Sequence, residues 1–278
     1  MKLLTVSPNR GMLWVRSGFR VFFARPLMFS GLFAAFLFGA LLLMLVPAVG
    51  PLLVLAALPL VSQGFMQATR TTLAGQMPRV GVFFEPLRGP RPQAMAMVKI
   101  GLIYATASLF IMWLSSWVDG GTFDALQEAM TSKTADTEQL EALLADPRLS
   151  AGILLRLSLA SALALPFWHA PALVQWAGQA PAQALFSSTI ACWRNKMAFT
   201  AYALTWAVLI LLFGVLANSV FLLLNAPRLV PIAAMAGGLM FSTVFYSSLY
   251  FTFADCFGPP DRHSAQVDVI DADEPPHA

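Results

Sequence analysis

The sequence predicts an all-α integral membrane protein, a helical bundle of about six transmembrane helices in three hairpins, with amphipathic helices on the cytoplasmic side. The composition, the spacing of the apolar runs and the placement of the basic residues predict this class. Of the 278 residues, 58% are apolar and 11% are charged, whereas soluble domains average about 25% charged residues. So few polar groups cannot cover a water-soluble surface, and a lipid solvent removes that requirement.

Six apolar runs are long enough to cross a bilayer, because a helix rises about 1.5 Å per residue and the hydrocarbon layer is about 30 Å thick. The second run is short before Gln63, and the fourth contains Arg156 and Pro166, which leaves the depth of the fourth helix open. Pro and Gly in residues 47–51 predict a tight turn that makes the first two spans a hairpin. We expect spans at residues 27–46, 51–67, 100–118, 150–170, 199–224 and 230–254.

Lys and Arg residues are concentrated in two of the segments between spans. Five precede the first span and five lie in residues 68–99, whereas residues 119–149 contain two. Since loops rich in Lys and Arg stay in the cytoplasm, we expect both termini on the cytoplasmic side of a bacterial inner membrane and residues 119–149 as a periplasmic loop. Topology then accounts for the basic pI, and we expect no nucleic-acid partner.

We expect one transmembrane domain over residues 1–257, followed by a tail. The tail, residues 258–278, is rich in Asp, Glu and Pro and lacks apolar periodicity, which predicts disorder. In the periplasmic loop, leucines at helical spacing predict one or two short surface helices. The pair Asp146-Pro147 is typical of an N-cap and first helical position, so it should open the fourth span.

Two segments, residues 8–25 and 182–196, have amphipathic periodicity immediately before a span. In the first, Phe19 belongs to an apolar side that can lie in the acyl boundary, while arginines on the other side meet anionic headgroups. We expect an anchor and topology signal, with binding of a specific lipid or protein partner as the alternative. The candidate lipid-facing basic residues are Arg10, Arg16, Arg20, Arg25, Arg194 and Lys196.

Short motifs recur along the chain and indicate a weak internal repeat. Residues 57–59 and 164–166 both read Ala-Leu-Pro, and residues 74–78 and 177–181 both begin Ala-Gly-Gln and end in Pro. If the repeat is real, its unit is a basic amphipathic segment followed by a hairpin, present three times. Chance is the alternative in a chain this rich in Ala, Leu and Pro.

Gly31, Ala35 and Gly39 are spaced four residues apart in the first span, which creates a groove of small residues. We expect another helix of the same chain to pack there, with a dimer interface as the alternative. The expected partners are therefore membrane lipids, with a membrane-protein partner or a homo-oligomer as further options.

The sequence contains no metal-ligand spacing, no glycine-rich phosphate loop and no Ser-His-acid set. We therefore expect no enzyme, and no catalytic, metal-binding or cofactor-binding residues. The candidate intramembrane polar residues are Arg156, His169, Asn218 and Asp255. We expect His169 to be a satisfied histidine at the membrane boundary, and Arg156 either to extend outward or to pair with an acid of the outer loop.

Four stretches, residues 3–6, 14–22, 168–174 and 191–196, resemble a family of proteobacterial polytopic inner-membrane proteins of uncharacterised function. The resemblance runs from residue 1 to about residue 256. It implies a Gram-negative inner membrane and six helices, and it implies no activity, substrate or site residue.

The leading hypothesis is a non-enzymatic accessory protein or scaffold that engages lipid or a protein partner through its basic inner face. The alternative is a small transporter or lipid-handling protein with a pathway between the hairpins. A polar cavity reaching mid-membrane and lined by Asn218, Gln63 or Arg156 would favour transport. A dry, fully packed bundle would favour the scaffold.

Overall fold

A computed structural model describes residues 3–132 and 137–258, and all regular structure in these ranges is helical. The all-α prediction is confirmed, while the expected disorder of the tail concerns residues that, apart from Gly258, lie outside the described ranges. The helices are α1 (Arg10–Ala24), α2 (Pro26–Met44), α3 (Gly50–Leu73), α4 (Glu85–Arg88), α5 (Arg91–Asp119), α6 (Thr122–Thr131), α7 (Thr137–Ala145), α8 (Pro147–Phe167), α9 (Ala170–Ala177), α10 (Pro181–Arg194), α11 (Lys196–Leu223) and α12 (Val230–Phe257). Short 3-10 turns at Val80–Phe83 and Pro227–Leu229 precede α4 and α12.

Six helical stretches in the described ranges are long and apolar enough to cross a membrane, which confirms the six-span prediction. They are α2, α3, α5, α8 continued by α9, α11, and α12 with its preceding turn. Several helices are longer than the apolar runs that predicted them. Helix α5 begins at Arg91, nine residues before the expected span, because a helix continues where its side chains become polar.

The connections follow the turn chemistry of the sequence. The turn between α2 and α3 places Ala48 at a positive φ of 63°, and α2 packs on α3 as a hairpin. The segment between α5 and α8 forms the short helices α6 and α7, as expected. At the start of α8 the carboxylate of Asp146 accepts a hydrogen bond of 2.8 Å from the backbone N–H of Arg148, with Pro147 at the first helical position.

The three hairpins pack in a cyclic order that follows the proposed repeat. Within each hairpin the two spans contact each other, namely α2 with α3, α5 with α8, and α11 with α12. The segment that leads into each hairpin packs on the second span of the preceding hairpin. Thus the turn at Val80–Phe83 packs on α3, α10 packs on α8, and α1 packs on α12. Gly75 and Gly178, the glycines of the two Ala-Gly-Gln motifs, both adopt left-handed backbone conformations.

The buried core lies at the end of the bundle that carries α1, α10 and residues 74–90, here called the basic end. Both ends of the described chain lie there, since the backbone N–H of Leu4 donates to the carbonyl oxygen of Cys256 at 2.8 Å. The other end, which carries α6 and α7, is here called the acidic end. Toward it α11 is exposed over most of its second half. The packing that orders the fold is therefore concentrated at the basic end.

Helix α1 packs into this core more deeply than its amphipathic pattern predicts. A Cβ at Gly11 would overlap the carbonyl oxygen of Ala198, so glycine is what lets α1 approach the backbone of α11. Trp14 and Val15 are 1% and 2% exposed. Phe19, expected to lie in lipid, is half-buried, and its ring packs on aromatic rings of α11 and α12 at centroid distances of 5.9 and 6.2 Å. Protein packing, and not only headgroup attraction, holds α1.

Candidate functional site

A polar clamp joins α1 to the end of α12. The guanidinium of Arg10 donates to both carboxylate oxygens of Asp255, at 2.7 and 2.8 Å, and the indole N–H of Trp14 donates to the same carboxylate at 2.5 Å. This corrects the expectation that Arg10 faces lipid headgroups, since its charge is neutralised by Asp255. Such a bidentate, charge-assisted pair fixes orientation as well as contributing energy.

Asn195, between α10 and α11, ties the start of the chain to the same end. Its side chain accepts a hydrogen bond from the N–H of Val6 at 2.9 Å and donates to the carbonyl oxygen of Leu4 at 3.1 Å. It also contacts the thiol of Cys256 at 3.4 Å. The clamp and this network together lock the first residues of the described chain against α12.

The remaining predicted basic residues surround this core. Arg16 and Arg20 are exposed, on the side of α1 opposite its packed face. The other three make local contacts: Arg25 with the carbonyl oxygen of Gly75, Arg194 with the hydroxyl of Thr5, and Lys196 with the ring of Trp193. Lys196 belongs to α11, because the amphipathic helix ends at Arg194. Arg16 and Arg20 therefore remain candidates for headgroup contact.

On α10 a polar side chain is buried and apolar side chains are exposed, the reverse of a surface helix in a soluble protein. Ser188 is fully buried, where its hydroxyl donates to the carbonyl oxygen of Leu165 at 2.8 Å and accepts the N–H of His169 at 3.0 Å. An apolar stripe at helical spacing is instead exposed. It consists of Phe186, Ile190 and Trp193, and the exposed Met197 at the start of α11 follows it. Outward apolar and inward polar side chains are typical of a helix that rests on lipid.

His169 lies in the break between α8 and α9, and its environment differs from expectation. The ring is completely buried and meets the edges or faces of Phe199, Phe253 and Phe257 at centroid distances of 5.4 to 5.9 Å. In the described part of the chain neither ring nitrogen has a hydrogen-bond partner. The histidine that was predicted to be satisfied at the membrane boundary therefore has no described protein group bonded to its ring nitrogens.

The other intramembrane polar residues lie apart from one another. Arg156 lies near the acidic end, 3.8 Å from the carboxylate of Asp119 and 4.1 Å from the ring centre of Phe123. Of the two expected arrangements, Arg156 therefore adopts pairing with an acid, and that acid, Asp119, is the last residue of α5. Asn218 is exposed on the second half of α11, toward the acidic end. These residues do not form one polar site.

A cleft of about 860 Å³ opens between α8 and the hairpin formed by α11 and α12. Among the described helices, α8 does not pack closely on α11 or α12, although the equivalent pairs α3 with α5 and α12 with α2 do contact. The cleft thus occupies the one junction of the cyclic arrangement that stays open. Its α11 lining runs from Phe199 to Ala217, about 27 Å along a helix, which is most of the hydrocarbon thickness.

The walls of the cleft are almost entirely apolar. Aromatic side chains close its floor toward the basic end, including Trp168, Tyr202 and Trp206. Small residues such as Ala207 and Gly238 leave its side open. A second pocket of about 170 Å³ shares Trp168 with the cleft and continues inward between α3, α5, α8 and α12. The cleft is neither a polar pathway nor a fully packed bundle, and Gln63, Arg156 and Asn218 do not line it.

Sequence reasoning did not find the cleft, because its residues read as ordinary span residues. The one signal available was the second copy of the Ala-Leu-Pro motif at residues 164–166, since Ala164 and Leu165 line the cleft. Lipid-facing and helix-facing positions are both apolar in a membrane protein, so hydropathy does not separate them.

Six membrane-crossing helices, locked at one end and open along one helix junction, define a polytopic helical membrane protein. The chain is 32% identical, over 259 residues, to a probable inner membrane protein of Burkholderia thailandensis. The similarity covers 93% of this chain and 94% of that relative. The chain therefore belongs to this family of proteobacterial inner-membrane proteins and is a multi-pass protein of the inner membrane. No protein-family model and no solved structure matches the chain.

Proposed function

We propose that this protein is a non-enzymatic accessory protein of the inner membrane that binds membrane lipid, with acyl chains seated in the cleft between α8 and the hairpin α11–α12. The observation that carries the proposal is the apolar cleft of about 860 Å³ at the open junction of the hairpins. This proposal combines the two hypotheses drawn from the sequence, an accessory protein that engages lipid and a lipid-handling protein.

The size of the cleft favours acyl chains over a further helix. A water molecule takes about 30 Å³ of liquid volume, and a methylene group is of similar size, so the cleft holds roughly 30 such groups. A transmembrane helix about 10 Å across and 30 Å long occupies on the order of 2,400 Å³. A helix could lie over the opening but could not enter it, whereas extended chains match both its volume and its length.

The exposed surface of the basic end supports the same proposal. Arg16 and Arg20 project from α1, and the apolar stripe of α10 lies beside Arg194 and Lys196. Apolar side chains in the acyl boundary with basic side chains at headgroup level are the pattern of lipid-engaging helices. In this proposal the basic end faces the cytoplasm and so do both termini.

Filling the cleft tests the proposal. A Cβ at Gly214 or Gly238 would meet no atom within 4 Å, and both residues line the cleft, so Gly214→Leu and Gly238→Leu should occupy it without strain. Gly31→Leu in α2 is the matched control, because Gly31 is exposed, equally uncrowded and outside the cleft. Leucine is also a better helix former than glycine, so none of the helices is weakened.

Native mass spectrometry of the protein released from mild detergent reports the retained lipid. Wild type and the Gly31 variant should retain lipid, and the two cleft variants should retain several-fold less at the same helical content. Equal retention by all four proteins would refute the proposal.

A second candidate function, a scaffold for another membrane helix, is favoured by α2. A Cβ at Gly31 or Gly39 would meet no atom within 4 Å, so within the described chain no helix uses the small-residue groove that the sequence predicts. Close packing of α2 with a second copy or a membrane-protein partner is the use that remains. For this candidate, Gly31→Leu would change the oligomeric state in nanodiscs and leave lipid retention unchanged.

A further inference from the structure

The second pocket, here called the inner pocket, extends from the floor of the cleft between α3, α5, α8 and α12. Its volume is about 170 Å³, and it shares with the cleft the lining residues Ala164, Trp168, Phe245 and Tyr246. With about 30 Å³ per water molecule in the liquid, the inner pocket holds roughly five or six groups of that size. The glycerol unit of a lipid, with three carbons and three oxygens, is of this size. A lipid whose chains lie in the cleft could therefore place its glycerol unit in the inner pocket.

The inner pocket is uncharged. None of the described residues that line it is Lys, Arg, His, Asp or Glu. A phosphate or carboxylate in this pocket would lose its hydration and meet no opposite charge, which is strongly unfavourable. The polar part of a lipid that enters the pocket must therefore be neutral. This excludes the headgroups of phospholipids and the carboxylates of fatty acids.

Three side-chain hydroxyl groups give the neutral pocket its polar character, those of Ser62, Tyr104 and Tyr246. The hydroxyl of Ser62 donates its proton to the carbonyl oxygen of Pro59 at 3.0 Å, so it can only accept a further hydrogen bond. The hydroxyls of Tyr104 and Tyr246 form no hydrogen bond with a described residue, so both are able to donate. The two phenol groups interact electrostatically, which places them near each other.

Aromatic packing holds both tyrosine rings in place. The ring of Tyr104 packs edge-on against Phe167 at a centroid distance of 5.0 Å, and the ring of Tyr246 stacks on Phe65 at 5.3 Å. Because the rings are fixed by neighbours on the protein, their hydroxyls are ordered before a ligand binds. Such preorganisation lowers the entropic cost of binding.

We propose that the inner pocket binds the glycerol unit of a diacylglycerol. A diacylglycerol is neutral and carries two ester carbonyls and one hydroxyl, which match the two donors and the one acceptor of the pocket. Tyr104 and Tyr246 donate to the ester carbonyl oxygens, and Ser62 accepts from the free hydroxyl. The inference rests on the proposed function, because the acyl chains of the diacylglycerol lie in the cleft, and it adds the class of lipid.

Retention of radiolabelled dioleoylglycerol by the full chain in mild detergent tests this. Unlabelled dioleoylglycerol should displace the label from wild type at a concentration at least tenfold lower than dioleoylphosphatidylcholine, which has the same chains and a charged headgroup. A short-chain ubiquinone, which carries acceptors and no donor, should also displace it poorly, because it cannot donate to Ser62.

Substitution of the two tyrosines locates the binding. Tyr104→Phe and Tyr246→Phe should each weaken retention of dioleoylglycerol about three- to tenfold, the effect of one lost hydrogen bond. Neither should lower thermal stability in lipid-free detergent, since these hydroxyls bond no described residue. Tyr250→Phe is the matched control, because Tyr250 is buried, lines neither the cleft nor the inner pocket, and should leave retention unchanged.

Gly238→Leu separates this inference from the proposed function. If Gly238→Leu lowers phospholipid retention, the cleft proposal stands. The diacylglycerol inference is then overturned by itself if dioleoylglycerol is not retained, if the two tyrosine variants behave like Tyr250→Phe, or if phosphatidylcholine or the ubiquinone displaces the label as well as dioleoylglycerol does. Unchanged phospholipid retention in Gly238→Leu would overturn the proposed function and this inference with it.

Discussion

Replacing Asp255 with Asn should loosen α1 from the bundle. The carboxylate accepts two hydrogen bonds from Arg10 and one from Trp14, at 2.5 to 2.8 Å, and the two side chains of the ion pair are 22% and 13% exposed. Asparagine loses the charge and turns an N–H₂ group toward a donor. Hydrogen bonds to charged groups contribute about 1.5–3 kcal/mol each, and discounting for partial exposure leaves about 2–3 kcal/mol for the substitution as a whole.

The opening of α1 is measured as the rate at which a cysteine on its packed face is alkylated. Val15 is 2% exposed, so Val15→Cys places the reactive thiol on the packed face of α1. The native thiols of Cys192 and Cys256 are buried and should contribute little labelling. A loss of about 2–3 kcal/mol corresponds to roughly 30- to 150-fold faster labelling, since each 1.4 kcal/mol is a factor of about ten.

The matched control is Arg16→Glu in a non-ionic detergent, where no anionic headgroup is present. Arg16 is exposed, so its reversal should leave the labelling rate within about threefold of wild type. If Asp255→Asn changes the rate by less than threefold, or if Arg16→Glu changes it as much, the clamp does not hold α1 and the reasoning fails.

Three further predictions follow from the same structure. Gly11→Leu should detach α1 and speed the labelling of Val15→Cys at least tenfold, because its side chain would overlap the backbone of α11; unchanged labelling would exclude that close approach. Burial raises the pKa of the Cys192 thiol from 9.0 to about 12, so its stabilising contribution is complete below pH 9 and is lost as the pH rises toward 12. Cys192→Ala should reduce the loss of thermal stability over that interval, and an identical pH profile would contradict this. Cysteines introduced at residues 125–145 should react with an impermeant reagent from the periplasm, and those at residues 80–92 from the cytoplasm alone; the reverse pattern would overturn the orientation.

The number and position of the spans could be predicted from the sequence because both depend on local composition and helix geometry. The cap at Asp146 and the turn before α3 were likewise predictable, since each is determined by residues adjacent in sequence. The break between α8 and α9 was not predicted, although His169 lies there and Pro171 follows in the first turn of α9. A proline after a non-helical residue fits either a kink or a new helix, and tertiary packing decides between them.

The docking of α1 was mispredicted for a physical reason. An amphipathic helix with basic residues can rest its apolar side on lipid or on other helices, and periodicity does not distinguish the two. The glycines at positions 11 and 18 were the signal, because each allows α1 to approach a neighbouring helix closely. The pairing of Arg10 with Asp255 joins residues 245 positions apart and has no local signature. The cleft also has no local signature in the sequence, because it lies where α8 does not pack closely on α11 or α12.

The central claim is that acyl chains occupy the cleft, and cross-linking from the lipid tests it most directly. The protein is reconstituted with a phospholipid that carries a photoactivatable diazirine in mid-chain, and the cross-linked residues are mapped by mass spectrometry. The account predicts cross-links at Ala207 and Ile210 on the cleft wall, exceeding those at the equally lipid-exposed Phe38 of α2 several-fold, and their loss in Gly238→Leu. Cross-links spread evenly over α2 and α11, unchanged by that substitution, would contradict it.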